Sequence, residues 1–150
     1  MRFTRNLIDP GGIPLQSKTM QATTPPMAVS KAARWTGWVM SVLPCLLLVF
    51  SAVMKLVHPP PLDEGFTHLG LPVSLAFGLG ILELGCTVVF LIPRTAVLGA
   101  ILLTGYLGGA ILTHLRVGDP YYTQIILGVV IWGGLYLRDS RLRALIPFRG

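Results

Sequence analysis

The sequence predicts an all-α integral membrane protein, a four-helix bundle with short loops and both termini in the cytoplasm. Two observations support this fold class. The chain is 53% hydrophobic and only 12% charged, with a mean hydropathy of +0.70, whereas a soluble domain usually carries about a quarter charged residues. Its apolar residues also gather in four long runs. Backbone groups in lipid must be paired within their own segment, so each run is predicted to be a helix.

The predicted helices span residues 36–57, 71–92, 95–115 and 121–137. The first three have the length that a membrane-spanning helix needs, and the fourth is at the short end of the range. Pro44 is expected to bend the first helix, because proline removes a backbone donor. The prolines at 59–61 should end that helix. Residues 58–70 then form the only long loop and the main outer surface.

The ends of this helical domain, residues 35–147, follow from local composition. Residues 1–34 contain scattered prolines and no sustained apolar period, so they are predicted to form a disordered cytoplasmic tail. They do not resemble a signal peptide, because no apolar core follows the first two arginines. Pro93 should stop the second helix, and residues 118–120 should make the tight turn before the fourth.

The distribution of basic residues predicts the orientation. An N-in arrangement leaves only Lys55 and Arg116 on the outer side. It places the other basic residues in the cytoplasm, as the positive-inside rule requires: Arg2, Arg5, Lys18, Lys31, Arg34, Arg94, Arg138, Arg141, Arg143 and Arg149. The net charge of +6 is therefore a topology signal, and no nucleic-acid partner is expected.

Small residues recur along the second and third predicted helices. Gly105, Gly108 and Gly109 lie in the third helix, and Gly80 lies in the second, one turn before Glu83. Membrane helices associate through close packing of such residues. The stripes are interpreted as helix contacts, and a cofactor groove lined by the same glycines is a second, compatible interpretation.

Polar residues of the predicted helices fall at two depths. At 1.5 Å per residue, Glu83, Thr104 and Tyr106 come out roughly 13–16 Å above the inner boundary. Lys55 and His114 come out about 28 Å above it. Lys55 is thus expected to lie too far from Glu83 for direct pairing. Two interpretations of Glu83 stay open: a neutral carboxyl that donates a structural hydrogen bond to Tyr106, Thr104 or the carbonyl freed by Pro44, or a functional carboxyl that takes a proton or binds a ligand.

The basic residues at the outer depth also have two possible interpretations. His114 and Arg116 could contact lipid phosphate or extend toward water at little cost. Together with Lys55, they could instead form a basic pocket for an anionic or quinone-like headgroup. All six polar residues, Glu83, Tyr106, Thr104, Lys55, His114 and Arg116, are therefore candidate ligand-binding residues.

Other chemistries lack their motifs. Cys45 and Cys86 are single, so no thiol–disulfide exchange motif is present. The three histidines are too scattered to predict a metal or haem site. No phosphate-binding loop and no nucleophile elbow occurs. The sequence therefore predicts no catalytic residue and no metal, and it gives no basis for assigning an enzymatic reaction.

Residues 36–147 resemble a known family. The layout of four helices, Lys55 at the exit of the first, the run GLGILELG around Glu83 and above all TGYLGGAILTHLRVGDP look like the DoxX-like family of small bacterial membrane proteins. That family is similar to the membrane subunit of thiosulfate:quinone oxidoreductase. The resemblance implies a multi-pass protein of the bacterial inner membrane.

The same resemblance implies a redox or respiratory accessory subunit that binds quinone or lipid between its helices. The alternative is a non-catalytic scaffold that anchors a soluble redox partner. The expected partners are the lipid bilayer and either that redox partner or further copies of the chain.

Overall fold

The computed structural model describes residues 30–145, which form helices and turns without any strand. The helices are α1 (Lys31–Val57), α2 (Pro60–His68), α3 (Leu75–Leu91), α4 (Ala96–Val117), α5 (Tyr122–Arg138) and α6 (Ser140–Leu145). The all-α prediction is confirmed over this range. By length and composition, α1 and α4 can each cross a membrane, and α3 is a shorter apolar helix.

The structure places α1, α3, α4 and α5 close to the four predicted apolar segments, but moves two of the boundaries. The first helix begins at Lys31 rather than at residue 36, because the Ser30 side chain caps it by accepting the N–H of Ala33 at 3.2 Å. Residues 31–34 therefore belong to the helical domain. Residues 1–29 of the predicted tail lie outside the described residues. Helix α3, which corresponds to the second predicted helix, starts at Leu75 rather than at residue 71. In the turn before it, the Leu75 N–H donates to Pro72 O.

The predicted loop 58–70 contains a helix, which corrects the expectation of an irregular outer loop. His58 ends α1 in a left-handed conformation, and α2 follows with prolines in its first turn. Proline suits that turn because its missing N–H would have no partner there. Phe66 of α2 is buried. The short α6 was also not predicted.

The longer helices pack in a ring: α1 and α4 each contact both α3 and α5. The guanidinium group of Arg138, at the end of α5, lies 4.5 Å from the ring centroid of Trp38 on α1 and donates to Phe90 O of α3 at 3.2 Å. These contacts join the start of α1 to the ends of α3 and α5. We call this side the basic end. The opposite side, which carries α2, is the α2 end.

Near the basic end, glycines let backbones touch. A Cβ on Gly99 would lie 2.3 Å from the backbone of Phe90, and one on Gly134 would lie 3.0 Å from Gly37 O. Gly80 lies against α1 in the same way, with Ala52 O and the Lys55 Cβ each 3.1 Å from its Cβ position. The backbones can approach this closely only because these positions carry no side chain.

Three of the glycines that the sequence analysis assigned to helix packing do not form such contacts. Within residues 30–145, nothing lies within 4 Å of a Cβ placed on Gly105, Gly108 or Gly109. Gly105 and Gly109 border one cavity between the helices and Gly108 borders another, so no side chain or backbone of a neighbouring helix in the described part of the chain packs against them. The close contacts of α4 instead use Gly99, nearer its start.

Candidate functional site

A cluster of three polar side chains joins α1 to α3. Lys55 Nζ lies 2.9 Å from Glu83 Oε2 and also donates to Ser51 Oγ, and Ser51 Oγ donates to the same Glu83 oxygen at 3.3 Å. The Glu83 side chain is only 2% exposed and the Lys55 side chain 14%. A buried carboxylate and an ammonium group therefore satisfy each other inside the molecule.

This ion pair corrects the expectation that Lys55 lies too far from Glu83. Lys55 is level with Gly80, as their contact shows, and Gly80 is only about 4.5 Å along α3 from Glu83. The lysine side chain leans toward the start of its own helix, which is the direction of Glu83. A depth counted in residues from the helix ends is correct only if the helices are untilted and their ends lie at the same level. Between the level of Arg138 and the level of Lys55, α1 runs from Trp38 to Lys55 whereas α3 covers the same distance from Phe90 to Gly80, with fewer residues.

The two candidates on α4 near the mid-depth separate. Tyr106 faces α3, and its hydroxyl interacts with the Glu83 carboxylate. Thr104 faces α5 instead: its hydroxyl donates to Ala100 O at 2.8 Å and accepts the Trp132 Nε1–H at 2.9 Å. Thr104 is therefore not part of the polar cluster around Glu83.

His114 lies one helical turn from the end of α4 and faces α5. Its Nδ1 is 2.8 Å from Ala110 O, and its Nε2 is 3.4 Å from Gln124 Nε2. A carbonyl oxygen only accepts, so Nδ1 carries the hydrogen. In the neutral ring Nε2 then accepts from the Gln124 amide.

Arg116 has a different role from the other candidates. It donates to Leu69 O, the residue that follows α2, and its guanidinium group lies over Gly70, whose φ is +66°. Nearby, His68 Nε2 lies 3.0 Å from Asp119 Oδ2. Arg116 thus fastens the segment after α2 to the end of α4, and it does not join Lys55 and His114 in one pocket.

A cavity of about 870 Å³ lies between α1, α3, α4 and α5. Its walls are mostly leucine and isoleucine side chains, and Gly105 and Gly109 open one wall. Its polar lining combines six residues described above with two threonines, Thr113 and Thr123. The full set is Ser51, Lys55, Glu83, Tyr106, Thr113, His114, Thr123 and Gln124. Large, mainly apolar cavities with a few convergent polar groups are typical of ligand sites.

A second cavity, of about 670 Å³, lies between α4 and α5 and is almost entirely apolar. Thr104, Gly108 and Trp132 line it. The candidate residues of α4 are therefore divided between two cavities, with only the larger one containing charged groups.

The candidate binding residues predicted from the sequence leave out four polar residues of the larger cavity, Ser51, Thr113, Thr123 and Gln124. Ser51 lies one turn before Lys55 on the same helix face, and a serine four residues before a membrane lysine is a usable signal for a shared contact. Gln124 is an amide within an apolar run. Between residues 30 and 145, no group of histidine, cysteine or acidic side chains could hold a metal ion.

The comparisons with known proteins fit this arrangement. No curated protein and no solved structure matches the chain. The model of the DoxX-like family matches residues 39–134, which contain the polar cluster and both cavities' glycines. This match covers more than half of the chain. Of the two helices within residues 30–145 that can cross a membrane, it includes most of α1 and all of α4. The chain is therefore a membrane protein that belongs to the DoxX-like family.

Proposed function

We propose that this protein spans the bacterial inner membrane four times and serves as a redox or respiratory accessory subunit. In this proposal the larger cavity binds quinone or another amphipathic lipid. The observation that carries it is the cavity of about 870 Å³, which combines apolar walls with the Lys55–Glu83 pair, Tyr106 and His114.

The cavity suits an amphipathic ligand for physical reasons. Its volume is in the range that encloses most of a small ligand, about 300–1,000 Å³. Leucine side chains can contact an isoprenoid or acyl tail. Lys55, which gives two of its three N–H donors to Ser51 and Glu83, and Tyr106 are the residues that would hold a polar head by hydrogen bonds, with His114 beside them. A bound quinone would supply the two-electron chemistry, and these residues would position its ring.

The proposed topology is supported because the basic residues and the helix ends that it assigns to the cytoplasm lie on the same side of the molecule. Trp38, Phe90 and Arg138 meet at the basic end. The start of α1 and the ends of α3 and α5 therefore lie on one side, where Arg94 and Arg141 are exposed. The positive-inside rule assigns that side to the cytoplasm. Reporter fusions at Gly150 and Arg94 should read cytoplasm, and one near Glu64 should read periplasm. A periplasmic C-terminus would refute the topology.

The binding proposal can be tested by extracting lipids from the protein purified in mild detergent. The wild-type protein should retain quinone above the level in empty micelles. Gly105→Leu should retain much less, since Gly105 lines the cavity and a leucine there would occupy ligand space. The matched control is Gly78→Leu. Gly78 also has nothing within 4 Å of its Cβ position, but it lines neither cavity.

A scaffold without ligand is the alternative, and the exposed basic residues favour it. Lys31, Arg34, Arg94 and Arg141 are all exposed at the basic end. Such a surface can attract an acidic soluble redox partner. If no lipid is retained by any variant and a redox protein instead copurifies in a salt-sensitive manner, the scaffold proposal should replace the binding proposal.

A further inference from the structure

One buried polar atom on the wall of the larger cavity has no hydrogen-bond partner. Gln124 Oε1 is buried and accepts from no group of the described residues. Gln124 lines the larger cavity together with His114, and it also borders the second cavity. A buried carbonyl without a donor costs roughly as much as a lost hydrogen bond, so its lack of a partner calls for an explanation.

The orientation of this amide follows from the neighbouring histidine. His114 Nδ1 donates to Ala110 O, so Nε2 of the neutral ring presents a lone pair to Gln124. Only the amide nitrogen can donate to that lone pair. Rotating the amide by half a turn would bring two acceptors together. The chain thus holds Gln124 Nε2 against His114 and leaves Oε1 with an unused lone pair.

The other polar groups nearby have their own partners. Lys55 is bonded to Ser51 and Glu83, Thr113 donates to Ala110 O, and Tyr106 interacts with Glu83. Among the buried side-chain polar atoms that line this cavity within residues 30–145, Gln124 Oε1 is the one without a partner. A ligand with a hydrogen-bond donor at its head would supply the missing bond.

We infer that the ligand of this cavity carries a hydroxyl group at its polar head and that Gln124 Oε1 accepts the hydrogen bond from it. Of a quinone and its reduced form, the cavity would then favour the quinol, because the quinone has carbonyl oxygens and no hydroxyl. This inference rests on the proposed function and specifies the chemical form of the ligand.

The test uses decylubiquinol and decylubiquinone, which share a tail and ring substituents. The purified protein is equilibrated without oxygen in micelles that contain equal amounts of both. The bound fraction is then separated, extracted and quantified by chromatography. The wild-type protein should enrich the quinol at least about fivefold, the ratio that one hydrogen bond of ordinary strength gives.

Two variants locate the preference. Gln124→Met keeps a similar length without the amide oxygen and should bring the bound ratio close to one. Ile126→Met creates the same residue two positions away, on an exposed site that lines neither cavity, and should keep the enrichment. Gln124→Leu also removes the amide oxygen and should likewise bring the bound ratio close to one, which gives a second readout if Gln124→Met fails to fold.

The outcomes separate the two proposals. If the wild-type protein retains both forms equally or favours the quinone, the inference about the hydroxyl group is overturned while ligand binding stands. Enrichment that survives in Gln124→Met or Gln124→Leu overturns it as well. If neither form is retained above the level of Gly105→Leu, the binding function itself fails.

Discussion

The basic end and the cavity region use the same kinds of helix in opposite ways. Near the basic end, Gly99 and Gly134 bring neighbouring helices into backbone contact, and Arg138 ties three helices together. In the cavity region, Gly105 and Gly109 face no neighbour, and the helices separate around a space of about 870 Å³. A glycine in these helices therefore allows close helix packing where a neighbouring helix lies against it, and leaves room for a cavity where none does.

The two regions also satisfy their charges differently. Arg138 rests on the aromatic rings of Trp38 and Phe90, where cation–π contacts stabilise it. In the cavity region, Lys55 and Glu83 neutralise each other. An ion pair this well buried is weak evidence for stability, because its desolvation cost is large. We therefore expect the pair to serve the proposed binding function, whereas Arg138 serves packing.

The largest expected effect comes from breaking that pair. Glu83→Leu leaves the Lys55 ammonium without its countercharge and should lower the free energy of unfolding by about 3–5 kcal/mol. The double variant Lys55→Met/Glu83→Leu should recover most of that loss while abolishing ligand retention. Denaturation in mixed micelles measures the first effect, and lipid extraction measures the second. A double variant as unstable as Glu83→Leu alone would mean that the pair serves packing after all.

A smaller effect should distinguish the two kinds of glycine. Gly99→Ala places a methyl group 2.3 Å from the Phe90 backbone, so the helices must shift, at a cost of about 1–3 kcal/mol. Gly109→Ala meets nothing within 4 Å and should leave stability within about 1 kcal/mol, or raise it through better helix propensity. Thermal unfolding in the same detergent compares them. Equal destabilisation would remove the distinction between the two regions.

The smallest effect is expected in the second cavity. Trp132→Phe removes the bond from Nε1 to Thr104 but keeps most of the ring, which should cost about 0.5–1.5 kcal/mol. Thr104→Val should cost a similar amount, and the double variant should cost little more than either single one. Quinone retention should stay unchanged in all three, because Thr104 and Trp132 do not line the larger cavity. Loss of quinone in Trp132→Phe would instead show that the two cavities act together.

The sequence allowed the helices to be predicted because their signals are local. Apolar runs, the terminating Pro93 and the turn at Gly118 each depend on a few neighbouring residues. The Ser30 cap and the prolines of α2 are also local signals, but composition at these positions favours a tail and a loop instead.

The candidate site was less predictable, because it depends on how helices are set against one another. The pairing of Lys55 with Glu83 requires the level of α1 relative to α3, which residue counting cannot supply. The same limit explains why Thr104 and Tyr106, two residues apart, face different helices. Small-residue spacing identified a face of α4, but only the packing decides that this face borders open space.

The contacts of Arg116 and His68 have a mechanical consequence. The chain forms two hairpins, α1 with α3 and α4 with α5, and the larger cavity lies between them. At the α2 end, Arg116 of the second hairpin donates to Leu69 O in the connection between α1 and α3, and Asp119 contacts His68 of the same connection. These contacts join the connecting segments of the two hairpins at the α2 end. Separation of the hairpins at that end would have to break these contacts. A molecule that enters the cavity sideways between two helices, from the bilayer, would leave them intact.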